Sequence, residues 1–152
     1  MIRRLKLKLL AFFRKAKINN QNLAKFMYHS IIIKESLEKP EVLDDFKIIR
    51  TKLSSGEKWH LHIVEIPELS EDIISRIQGA MVSNEPYYFH IYDEGKSLVV
   101  VFKDKVFDIN PADKVTWKEA IAYGAQKLNI PPEQLDFYPS KISEEDDWYN
   151  RD

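Results

Sequence analysis

The chain has 152 residues, 44% of them hydrophobic and 31% charged, with 4 Gly, 7 Pro and no Cys. A chain of that length buries about 70% of its unfolded surface without staples, and the composition excludes collagen-like and low-complexity proteins. Without cysteine there are no disulfides, no thiolate metal sites and no Cys nucleophile, and the expected address is cytoplasmic.

The net charge of −1 hides two electrostatic halves. Residues 1–26 carry Arg3, Arg4, Lys6, Lys8, Arg14, Lys15, Lys17 and Lys25 and no acid; the other 15 bases and all 24 acids follow, leaving −9 on the rest. At helical spacing Ile2, Leu5, Leu9, Phe12, Phe13 and Ala16 share one face of this arm, the pattern of an interfacial amphipathic helix. Its charge-free apolar run, Leu9 to Phe13, is too short for a membrane span or a secretory signal. Three readings stay open for 1–26: a helix packed on the body, contact with a membrane surface or polyanion through those bases, or an upstream stretch before a true start at Met27.

From Met27 the pattern changes. Tyr28 to Leu37, with three consecutive Ile, reads as a strand buried on both faces. Pro40 with Glu41, Asp44 and Asp45 opens a short helix. Residues 46–53 keep helical spacing at Phe46, Ile49 and Leu53, yet Ile48, Ile49 and Thr51 are β-branched. The reading favoured is a strand Phe46–Leu53 turning through Ser54–Lys58 into Trp59–Ile66. Ser70 caps a helix with the stripe Ile73, Ile74, Ile77, Ala80 and Met81. Tyr87–Tyr92 and Ser97–Ile109 read as strands joined at Gly95, with Lys103-Asp104-Lys105 closing the apolar run Leu98–Phe102. Thr116 and Glu119 form a capping box for a helix facing inward at Trp117, Ile121, Gly124 and Leu128. Residues 141–152 read as an acidic frayed tail. The expected organisation is an arm 1–26, one domain 27–140 and the tail. The expected fold is an α+β two-layer sandwich, with one mixed, mainly antiparallel sheet of four or five strands and two or three helices on one face. Its expected core unites Ile31, Ile33, Leu61, Ile63, Ile74, Ile77, Leu98, Val100, Phe102, Ile121 and Leu128.

Chemistry is sparsely signalled. The sequence has no GxGxxG, P-loop, GxSxG or HExxH. His60 and His62 alternate on one strand, and His90 lies among Tyr88 and Tyr92. Three imidazoles on one sheet face would suit a divalent metal, but histidines in aromatic strands usually serve packing, and no acid flanks these at ligand spacing. No metal and no cofactor are expected. Lys103 beside Asp104 suits an anion clamp or a charged strand end. Tyr28, Trp59, Tyr87, Tyr88, Tyr92 and Trp117 bring polar handles that suit a concave, ligand-lining surface. A nucleic-acid platform conflicts with the −9 body.

Tyr28-His-Ser-Ile-Ile-Ile-Lys-Glu-Ser-Leu37, Val101 to Phe107, Thr116 to Gly124 and Ile130 to Phe137 together resemble a group of small uncharacterised prokaryotic proteins. The resemblance spans Met27 to Phe137, implies a compact unit and brings no activity with it. The expected function is a binding or regulatory module that meets a protein or small ligand through an aromatic sheet face, with Tyr28, Trp59, Tyr88 and Tyr92 as candidate contacts. The alternatives are a small enzyme using His62, His90 or Lys103, and a peripheral membrane protein tethered by the arm.

Overall fold

The computed structural model describes residues 27–151. The expectations for the basic arm 1–26 lie outside the described residues. Strands β1 (Tyr28–Ile33), β2 (Lys47–Leu53), β3 (His60–Ile66), β4 (Tyr88–Tyr92), β5 (Leu98–Phe102) and β6 (Lys105–Ile109) form one six-stranded sheet. Its order is β2-β3-β1-β4-β5-β6, and every pairing is antiparallel. Among the described residues three α-helices accompany it: α1 (Glu71–Ala80), α2 (Lys118–Ala122) and α3 (Glu145–Asn150). The protein is therefore an α+β fold, with a wholly antiparallel sheet of more strands than the four or five expected.

The extra strand comes from Ser97–Ile109, which folds back on itself. Phe102 pairs with Lys105, so Lys103 and Asp104 form the turn between β5 and β6. Without Gly or Pro the turn carries no ordinary sequence marker. Lys103 anchors it instead, donating from Nζ to the carbonyls of Gln78 (2.7 Å) and Met81 (2.8 Å) at the end of α1. The hairpin at Gly95 forms as expected: Gly95 takes φ +96°, and Asp93 accepts the backbone N–H groups of Lys96 and Ser97. The strand assignment for 46–53 also holds, after a short 3-10 helix, Pro40–Asp45.

Helices cover both faces of the sheet, which corrects the expectation of one covered face. On the first face, Ile32, Val64, Ile66, Ile91, Val99 and Val101 pack under α1 through Ile74, Ile77 and Ala80. Ser70 starts this helix by accepting the Ile73 N–H. On the second face, Ile31, Ile63, Tyr92, Leu98, Val100 and Phe102 pack with Trp117, Ala120, Ile130, Leu135 and Phe137. The single core expected is thus two cores back to back, with Ile74 and Ile77 in one and Ile31, Ile63 and Leu98 in the other. Ile33, Leu61, Ile121 and Leu128 are half-buried rather than buried. The helix of the second core begins one turn earlier than expected: Asp113 accepts the Val115 N–H, while Thr116 bonds back to Asp113 and Asn110 in place of a Thr116–Glu119 box.

The expected frayed tail is folded. Residues Glu145–Asn150 form α3, which lies across β1, β3 and β2. Glu145 is buried, and its carboxylate meets His29 Nδ1 at 2.5 and 2.9 Å. Lys52 donates to the carbonyls of Trp148 and Arg151, and Arg50 pairs with Asp146 at 2.9 Å while stacking on Tyr149. Acid density in 141–152 suggested solvation, but Glu145 has a buried partner in His29 and Asp146 meets Arg50 of β2. At the sheet margin, β2 shows a bulge between Ile48 and Arg50 and leaves Ile48, Ile49 and Leu53 exposed. No helix among the described residues is long and apolar enough to cross a membrane.

Two stability predictions follow from this packing. Ile77, fully buried beneath the first face, leaves a cavity when truncated, so Ile77→Ala costs about 2–5 kcal/mol in urea denaturation; an unchanged midpoint refutes the docking of α1. Glu145→Ala leaves His29 buried beside nothing and costs about 1–3 kcal/mol, checked by the same measurement.

Candidate functional site

Strand pairing decides which of the expected residues can meet. Directly opposed residues share a face: Ile31 opposes both Ile63 and His90, whereas Ile32 opposes His62. His90 therefore lies on the second face and His62, with His60, on the first. The three-imidazole cluster does not assemble, and the described residues contain no group of three or more His, Asp or Glu able to hold a metal. His62 Nδ1 instead meets Thr51 Oγ1 at 2.8 Å, and His60 Nδ1 meets Glu35 at 2.6 Å. Burial, then the nearby His60 and Lys34, lowers the His62 pKa. Lys103 is committed to the α1 carbonyls, away from both.

The aromatic candidates divide in the same way. Tyr28 is buried in the first core, and burial followed by Asp93 raises its pKa. Tyr92 is buried in the second core, its hydroxyl without a hydrogen-bond partner among the described residues and its ionisation pushed far up by burial and by Glu145. Trp59 and Tyr88, by contrast, line the same cleft.

That cleft opens on the second face, between the ground covered by α2 and that covered by α3. Its floor is Ile31, Ile33, Leu61 and His90, from β1, β3 and β4. Its walls are five aromatic side chains from four stretches of chain: Trp59, Tyr87 with Tyr88, Tyr138 and Trp148. The exposed Lys58 and Glu85 lie at the rim, and the enclosed volume is about 490 Å³. Lys58 Nζ stands 4.5 Å from the centre of the Trp59 ring. Two of the tyrosine hydroxyls are already used: Tyr88 donates to the Gln134 carbonyl, and Tyr138 to the Asp147 carboxylate, at 2.5 Å each.

His90 is the titratable group of the floor. It is buried, 5% exposed, with the rings of Tyr92, Tyr88 and Phe137 within 5.3–6.4 Å. Phe137 takes a left-handed φ of 48°, rare for a bulky residue, and its ring also packs on Trp117. Nε2 of His90 lies 2.7 Å from the Pro139 carbonyl. A carbonyl only accepts, so Nε2 carries the ring proton and Nδ1 is the acceptor. Burial pushes the His90 pKa down to about 4, partly offset by the Pro139 carbonyl and Asp136.

Sequence reasoning singled out Trp59, Tyr88 and His90 and missed Tyr138 and Trp148. The signal for these two was present in the aromatic content of 137–149, but the reading of 141–152 as a tail discounted Trp148, and Tyr138 lay outside any predicted element. Comparison with protein-family models, curated proteins and solved structures finds no match for this chain.

The His90 shift sets a pH dependence. An unfolded chain protonates this histidine near 6.5 and the folded one near 4, so the unfolded state binds more protons between those values. Stability conferred by neutral His90 is complete above about pH 6.5 and declines as pH falls toward 4. Denaturation midpoints measured across that window should fall with acid, and His90→Phe should flatten the decline; a wild-type profile unchanged down to pH 4 refutes the buried, neutral assignment.

Proposed function

We propose that the chain is a small cytoplasmic binding module that takes its ligand in the aromatic cleft over β3, β1 and β4. The observation that carries this reading is the partly open floor: Ile33 and Leu61 remain half-buried beneath five aromatic side chains and a volume of about 490 Å³. Small-molecule sites are commonly clefts of about 300–1,000 Å³, mainly apolar and aromatic with a few polar groups. The −9 balance of residues 27–152 weighs against a nucleic-acid partner. The enzyme alternative is favoured less, since His62 and His90 lie on opposite faces of the sheet and Lys103 Nζ is engaged by the Gln78 and Met81 carbonyls.

Isothermal titration of the full chain with a panel of small aromatic molecules tests the reading. Saturable binding at millimolar or tighter affinity is expected. Trp59→Ala should weaken it at least tenfold, while Val115→Ala, at an exposed position on the helical layer, should leave it unchanged. Absence of saturable binding across the panel sinks the proposal.

A further inference from the structure

The polar atoms of the cleft are unequally distributed by depth, and this narrows the ligand. Floor residues Ile31, Ile33 and Leu61 offer only hydrocarbon, so His90 is the sole polar side chain of the floor. Pro139 takes the single proton of its neutral ring, and Nδ1 has no hydrogen-bond partner among the described residues. Nδ1 is not among the fully buried polar side-chain atoms left without a partner, which among the described residues are Glu71 Oε1 and Tyr92 Oη. His90 keeps 5% of its surface exposed and is one of the residues that line the cleft. The Tyr88 and Tyr138 hydroxyl protons are spent on Gln134 and Asp147, and the remaining charges, Lys58 and Glu85, are at the rim.

We infer that the cleft selects a planar, uncharged aromatic molecule bearing a ring N–H or an O–H, seated between the aromatic walls with that donor on Nδ1 of His90. The inference rests on the reading of the cleft as a ligand site. A donor satisfies the acceptor at the floor, whereas a methyl group in its place buries Nδ1 unpaired. A carboxylate or phosphate brings acceptor against acceptor in a place with little water to screen it. A cationic ligand is disfavoured too, because the two tryptophan rings already hold ammonium groups: Lys58 on Trp59 at 4.5 Å and Lys52 on Trp148 at 5.1 Å. The low pKa of His90 keeps Nδ1 an acceptor throughout the neutral range.

The test compares matched ligands, so no variant has to fold. Indole and 1-methylindole, phenol and anisole, and benzoate are titrated into the full chain at pH 7 by calorimetry, with the His90 ring nitrogens followed by 15N NMR. Indole and phenol are expected to bind at least tenfold more tightly than their methylated partners, and benzoate more weakly than phenol. Indole is expected to move the Nδ1 resonance of His90 and leave those of His62 in place. Equal binding of methylated and parent compounds, or an unmoved His90 Nδ1 at saturation, overturns the inference while the cleft reading stands. Failure of every aromatic compound to bind overturns both.

Discussion

The sheet is apolar on both sides, and everything else in the molecule answers to that constraint. All five residues of β5, Leu98-Val-Val-Val-Phe102, are buried, and in a strand successive side chains point to opposite faces. One helical layer satisfies only half of them. The first face is covered economically by α1 and the 3-10 helix before β2. Among the described residues the second face is covered by chain that follows β6, the 42 residues from Asn110 to Arg151.

Cover made from separate pieces leaves a seam. The helical stretch from Lys114 to Lys127 lies over β5 and β6, and aromatic contacts of Tyr123 with Phe102 and Phe107 fasten it there. Helix α3 is held over β1 and β2 by Glu145, Asp146 and the carbonyls that receive Lys52. Between the two, the Ile130–Pro139 segment seals the sheet with Leu135 and Phe137 but stops short of Ile33 and Leu61. The cleft is this gap. Tyr138 and Trp148 come from two of the covering pieces, and Trp59, Tyr87 and Tyr88 from the starts of β3 and β4, so Trp59 and Trp148 line one cleft although 89 positions apart.

The legible parts were those written in local pattern. The Ile74, Ile77 and Ala80 stripe, the Ser70 cap and the Gly95 turn each have a short-range cause, and each was read from adjacent residues. The turn at Lys103-Asp104 was not, because its anchor is a pair of carbonyls more than twenty positions away. The same holds for α3: an isolated Glu-Glu-Asp-Asp run looks solvated until His29, 116 residues earlier, is brought beside Glu145. For the site, alternation along β4 correctly grouped Tyr88, His90 and Tyr92 on one face. It could not tell that Tyr92 is sealed beneath α3 while Tyr88 stands at an opening, since that difference depends on where covering segments end.

The bulge in β2 has a consequence for self-association. An edge strand with exposed Ile48, Ile49 and Leu53 is the kind of surface on which sheets of neighbouring molecules join and propagate. Here the irregularity at Ile49 interrupts the regular spacing of the backbone groups that pair with no strand among the described residues, and Lys47, Arg50 and Lys52 repeat along the strand. Two such edges brought together antiparallel oppose cation to cation wherever the register aligns them. An edge interrupted in this way is a poorer template for pairing with a copy of itself than a flat, regular strand.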